Sequence, residues 1–154
     1  MASKPGYSRA CAGLRLCPRP LPRSLRGVSL RSLAQLDPVA AEALGVNPAH
    51  AEKAYRFLAS IRGGRCWFCG APSTMVVEVW ELGVEGGKGK AVLEAVRPAC
   101  ARCASVVELR GSRRFVAERV ARVNGVRSAE AEAVVEAVSR LLTHLETVEE
   151  WEFG

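Results

Sequence analysis

An α+β fold is predicted by three features of this 154-residue chain. Two Cys-x-x-Cys pairs, Cys66/Cys69 and Cys100/Cys103, bracket a segment rich in β-branched residues with a glycine cluster at its middle. After Cys103, apolar residues recur at helical spacing through two long stretches. Before Cys66 lie proline-led helical patterns and, ahead of those, a stretch rich in arginine and proline. A small hairpin-and-helix core drawn together at the cysteines, packed with several helices and preceded by an extended arm, accounts for all three. Length bounds this to one domain with an appendage. The predicted divisions are an extended basic arm over residues 1–27, a helical segment over 28–64, and a cysteine-bearing α+β domain with C-terminal helices over 65–154.

The arm comes first. Prolines at positions 5, 18, 20 and 22 exclude a continuous helix. Residues 17–23 favour polyproline-II geometry. Residues 1–36 hold Lys4, Arg9, Arg15, Arg19, Arg23, Arg26 and Arg31 and no acid. The formal charge is therefore +7 over residues 1–36, +1 over 37–65 and −2 over 66–154, making the chain's +6. Basic character belongs to the arm. Arginines interleaved with tyrosine and leucine suit a polyanion, where guanidinium groups meet phosphate. Cys11 and Cys17 read as free thiols; the alternative is a disulfide of the kind that hyperthermophile cytosol tolerates. One Gln and two Asn, a scarcity of thermolabile amides, fit a hot organism, whereas eighteen Arg against four Lys also fit a GC-rich genome.

The helical segment follows. Residues 29–36 predict a short helix. Asp37 and Pro38 predict the start of another, closed by Gly45. Asn47-Pro48 starts a third, with the stripe Ala51, Ala54, Tyr55, Leu58 and Ile61. Gly63-Gly64 ends it.

The cysteine domain begins with the first pair. Residues 74–82 predict a strand, with Val77 and Val79 on one face and Val76, Glu78, Trp80 and Leu82 on the other. Residues 83–89 predict a hairpin tip, residues 90–96 the returning strand, and Pro98 its end. Residues 101–109 predict a short helix. Ser112 caps the next helix and Gly125 ends it. Ser128 caps the last, whose stripe is Val134, Val138, Leu141, Leu145 and Val148. Trp151 and Phe153 are expected to pack back onto the domain. No apolar run approaches the roughly 20 residues of a membrane span. A cytoplasmic location is the expectation, since six cysteines with metal spacing suit a reducing interior.

Cys66, Cys69, Cys100 and Cys103 form the candidate metal site. Four thiolates in two pairs suit one tetrahedral structural Zn²⁺, with Zn–S near 2.3 Å. Gly70 supplies the backbone freedom that the first turn needs. The gap between the pairs exceeds the usual short-ribbon spacing, and the hairpin would close it.

The region from about residue 65 to the C-terminus resembles the zinc-containing HNH endonuclease-like proteins. The resemblance rests on the two cysteine pairs, on the strand Val77-Glu78-Val79-Trp80-Glu81-Leu82, and on Ala121-Arg122-Val123-Asn124-Gly125 before a Glu/Ala-rich helix. It covers about 90 residues. It implies a ββα core, one zinc and contact with nucleic acid. Three family histidines are replaced, by Val77, Ala104 and Glu108. HNH chemistry needs an imidazole base and a divalent ion at the phosphate. The chain's two histidines, His50 and His144, lie outside the motif. The expectation is therefore no catalytic residue: a zinc-bearing RNA-binding protein, most simply a component of a ribonucleoprotein such as the ribosome, with rRNA and neighbouring proteins as partners and no membrane. Arg65, Arg102, Arg113 and Arg114 join the arm as candidate contacts, together with Arg110 and Arg119. An HNH-type endonuclease or DNA-binding protein, and a protein-interaction subunit, are the alternatives.

Overall fold

The computed structural model describes residues 6–28 and 64–153, with side chains through residue 25 of the first segment. It is an α+β fold. In order it contains α1 (Tyr7–Ala10), a 3₁₀ turn (Arg23–Val28), β1 (Met75–Glu85), β2 (Lys88–Ala99), α2 (Ala101–Val107), α3 (Arg113–Asn124), α4 (Ser128–Leu145) and β3 (Trp151–Phe153). The three helices expected over residues 29–62, with Lys4, Arg31 and His50, lie outside the described residues.

The hairpin is longer than its sequence suggests. β1 and β2 pair antiparallel from Met75↔Ala99 to Glu85↔Lys88, so Gly83 and Gly89 belong to strands. The turn is only Gly86-Gly87, at φ 60° and 80°. Positive φ at both central positions is what a twist-matched two-residue hairpin requires. Pro98 does not stop β2: it pairs with Val76, and its carbonyl accepts the Trp67 N–H at 2.9 Å. The register shifts between Val79 and Trp80, leaving Glu94 as the extra residue on β2. Val77 and Val79 join one apolar cluster, and Trp80 and Leu82 another. β3 then pairs parallel to β2, completing a sheet of order β1-β2-β3. Phe153 meets Trp80 edge to face at 6.3 Å, so the tail aromatics do pack back.

The helices divide between the clusters. The first cluster joins the cysteine loops, the base of the hairpin, α2, α3 and the start of α4 through Val106, Val116, Val120 and Val135. The second joins the distal hairpin to the end of α4 through Trp80, Leu82, Val138 and Leu145. The α4 stripe is wider than expected: Ala131 and Val135 are buried, while Val134 and Leu141 are only partly so. Ser112 caps α3 as predicted, its hydroxyl accepting from Phe115 N at 3.1 Å, and Gly125 closes it at φ 67°. Ser128 does not cap α4. It is the first helical residue, and Arg127 takes the cap position without a side-chain bond.

The largest departure is the N-terminal stretch. Residues 6–25 are not an extended arm but a strap bound across the domain. Tyr7 is 0% exposed, and Leu16 and Leu25 are equally buried. Gly6 bridges to Gly83 at the free edge of β1. Arg19 N donates to the Val107 carbonyl at 2.8 Å. Ser24 Oγ donates to the Val148 carbonyl at 3.2 Å, and Arg23 N to the Glu146 carboxylate at 3.2 Å. Cys11 and Cys17 are joined in a disulfide, with Cα atoms 5.8 Å apart, so they are not free thiols. Its tyrosine and leucines, expected to lie with the arginines along a polyanion, pack into the domain itself.

Candidate metal centre

Each cysteine pair sits on a tight turn. In the first, Cys66 N donates to the Ala71 carbonyl at 2.6 Å and Gly70 N to the Cys66 carbonyl at 2.9 Å. Gly70 has φ 80°, which a side chain would strain. In the second, Cys100 is the N-cap of α2, and its sulfur accepts from Cys103 N at 3.4 Å. The hairpin brings the turns together. Trp67 N bonds to Pro98 O at 2.9 Å and Thr74 N to Ala99 O at 3.0 Å.

The result is a four-sulfur cluster. All the Cys66, Cys69, Cys100 and Cys103 sulfurs lie within 4.8 Å of one another, and Cys69 and Cys100 approach to 3.7 Å. A tetrahedron with Zn–S of 2.3 Å has edges of about 3.8 Å. The residues thus fit a single thiophilic ion, and zinc is compatible. Burial opposes ionisation of Cys100, but bonds from the Cys103 N–H and the neighbouring thiols outweigh it and bring its pKa down to about 7. Burial, the bond with Cys100 and the charge of Cys66 push Cys103 upward. A bound dication removes this conflict, because coordinated thiols are held as thiolates.

Around the centre lie arginines. Arg65 donates to the Gly70 carbonyl at 3.0 Å. Arg102 is exposed on α2 and borders a small surface hollow with Phe115, Glu118, Arg119 and Arg122. Arg119 Nη2 points at Cys103 Sγ, 4.0 Å away. On the other flank, Trp67 is half-buried, with the guanidinium groups of Arg15 and Arg97 at 4.5 and 4.3 Å from its ring centroid. Arg15 Nε also donates to the Trp67 carbonyl at 2.6 Å. These three residues, with Arg19 and Glu94, line a groove of about 230 Å³.

The other predicted contacts fare differently. Arg19 faces the domain, donating to the Trp80 carbonyl at 3.0 Å and pairing with Glu94 and Glu81 at 3.4 and 3.5 Å. Arg113 pairs with Glu136 at 2.7 Å and Arg114 with Glu118 at 3.0 Å, along the α3–α4 face. Arg110 pairs with Glu108 at 2.9 Å. Arg9 lies exposed at the end of α1 and Arg23 at the start of the 3₁₀ turn. The side chain of Arg26 is outside the described set. Trp67 and Arg97 were not singled out from sequence, although an aromatic residue between paired cysteines was a visible signal. Arg97 gave none, since only the hairpin register brings it beside Trp67.

Two of the positions at which the resemblance led to an expectation of histidine lie in apolar surroundings. Val77 is 2% and Ala104 1% exposed, both within the first apolar cluster. His144 is exposed in the last turn of α4. Among the described residues, no helix is long and apolar enough to cross a membrane. Comparison with protein-family models, with curated proteins and with solved structures finds no match.

Proposed function

We propose that this chain is a non-catalytic, zinc-clasped RNA-binding protein, a structural component of a ribonucleoprotein such as the ribosome, docking through the end that carries the cysteines. One observation carries the reading. Among the described residues, Arg15, Arg65, Arg97, Arg102 and Arg122 have no carboxylate partner, and they gather around the cysteine turns, Trp67 and Phe115. On the α3–α4 face, by contrast, Arg113, Arg114, Arg127 and Arg140 are each paired with a glutamate at 2.7–3.1 Å, Arg113 and Arg140 sharing Glu136. Uncompensated guanidinium planes beside an aromatic ring suit phosphates and unpaired bases.

Zinc is the metal of this reading, because four cysteines close a tetrahedron and leave no open position for catalysis. It fixes the two turns from which Arg65, Trp67 and Arg102 project. The HNH resemblance enters as a scaffold without its catalytic groups. Histidines at positions 77 and 104 would face apolar packing rather than a phosphate. RNA contact concentrates at the metal end, where the strap contributes Arg15, because its Arg19 is spent on Glu81 and Glu94. The thermophile cytosol remains the proposed setting, where a disulfide and metal-bound thiolates coexist.

The test is RNA affinity against salt for the full chain and for Arg15→Gln, Arg97→Gln and Arg102→Gln. Each lost phosphate contact should make the log–log salt slope shallower by about one. A triple variant that binds RNA as tightly as the native chain refutes the interface. Deleting the strap is no substitute, since it also removes core residues. Cleavage of RNA or DNA with Mg²⁺ or Mn²⁺ would overturn the non-catalytic reading.

A further inference from the structure

Arg119 stands apart from the other arginines of α3. Its Nε is buried and has no hydrogen-bond partner among the described residues. Its neighbour Glu118 is paired with Arg114 at 3.0 Å. The one group its guanidinium addresses is Cys103 Sγ, at 4.0 Å from Nη2. Cys103 itself is fully buried. A half-buried cation without a counter-charge is costly, and a buried guanidinium N–H without an acceptor costs more. α3 nevertheless aims this side chain at the sulfurs.

Four thiolates around one dication leave a net negative charge on the sulfurs. We infer that Arg119 is the positioning residue of the metal centre, a fixed counter-ion that lies against Cys103 and steadies the four sulfurs around their metal. This rests on the zinc reading above and adds a division of labour among the arginines: Arg102 and Arg122 serve the surface, while Arg119 serves the metal. A guanidinium at the sulfur withdraws electron density from the thiolate. It lowers the sulfur's reactivity towards an alkylating group, which would detach it from the metal.

The experiment compares the native chain with Arg119→Met and Arg119→Lys, each purified with zinc. Metal content comes first, then the rate of zinc transfer to a competing chelator, then the rate of iodoacetamide alkylation of the loaded protein. Arg119→Met should bind one zinc but hold it about tenfold or more less tightly, the usual consequence of removing a group that supports a metal ligand. Alkylation should accelerate in parallel, and Arg119→Lys, which restores the charge, should recover most of the loss. Cobalt substitution provides a readout independent of stability: the thiolate-to-cobalt charge-transfer band should shift in the Met variant and return towards native in the Lys variant. Zinc-loaded Arg119→Met that exchanges, alkylates and absorbs like the native chain overturns the role of Arg119 and leaves the zinc site standing. A native chain that retains no zinc overturns both.

Discussion

Asn124, the last residue of α3, grips the main chain of Leu16 with both ends of its carboxamide: Oδ1 accepts the Leu16 N–H at 3.0 Å, and Nδ2 donates to the Leu16 carbonyl at 2.7 Å. Oδ1 also takes the Arg15 N–H at 2.7 Å, and Nδ2 reaches the Val120 carbonyl at 2.9 Å. One side chain so replaces a strand partner for the strap. Asn124→Ala should cost about 2–3 kcal/mol, a few net hydrogen bonds at about 1 kcal/mol each. Urea unfolding measures it. Asn124→Ala with an unchanged midpoint would mean that the strap's apolar residues and remaining hydrogen bonds hold it without the carboxamide.

The disulfide makes a second prediction. Native protein treated with a chelator and then an alkylating reagent should take up four labels, on Cys66, Cys69, Cys100 and Cys103. Reduction beforehand should raise that to six, by releasing Cys11 and Cys17. Reduction should also cost about 2 kcal/mol, as expected for a short closed loop. Intact mass reads the labels. Six labels on never-reduced protein would show the pair to be free in solution.

Tyr7 predicts an alkaline transition. Burial raises its phenol pKa well above the ordinary value of about 10, assisted by the charges of Glu146 and Glu81 and opposed by Arg19. The folded chain thus keeps a proton that the unfolded chain releases near pH 10. The stabilisation is complete below about pH 10 and is lost as pH rises through the folded value. Tyr7→Phe removes this titration together with the bond to the Pro20 carbonyl, which contributes about 1 kcal/mol. The native advantage over Tyr7→Phe should therefore shrink between about pH 9 and about pH 11. A constant difference across that range would place the phenol in water.

Gly89 gives the fourth. It is buried in β2, pairs with Trp151 and donates its N–H to Glu150 O at 2.9 Å. A Cβ at this position would run into the Trp151 ring. Gly89→Ala should cost about 1–3 kcal/mol, the usual range for overpacking, and should speed hydrogen exchange along β3. Native stability in Gly89→Ala would show that β3 can shift at no cost.

The metal turns were legible because their geometry is local. Two residues between cysteines, with Gly70 behind the first pair, dictate a tight turn whatever surrounds it. The caps at Ser112 and Gly125 were readable for the same reason. The strap was misread because polyproline geometry and spaced arginines describe a chain's local shape, not its destination. Nothing near Tyr7 or Leu16 in sequence announces the cavity each fills. The hairpin tip was placed too wide because glycine permits a turn at every position it occupies. Only strand pairing chose Gly86-Gly87.

By itself, then, the sequence determined the α+β class and the two cysteine pairs that the fold gathers into one four-sulfur cluster, since each depends on residue type and short spacing. The tertiary structure alone decided which arginines stay uncompensated. Arg19 and Arg102 are alike in sequence. The fold sets Arg19 beside Glu81 and Glu94 and leaves Arg102 exposed beside the metal turn. Electrostatic availability is a property of neighbours up to about 10 Å away in space, and only the folded chain defines those neighbours.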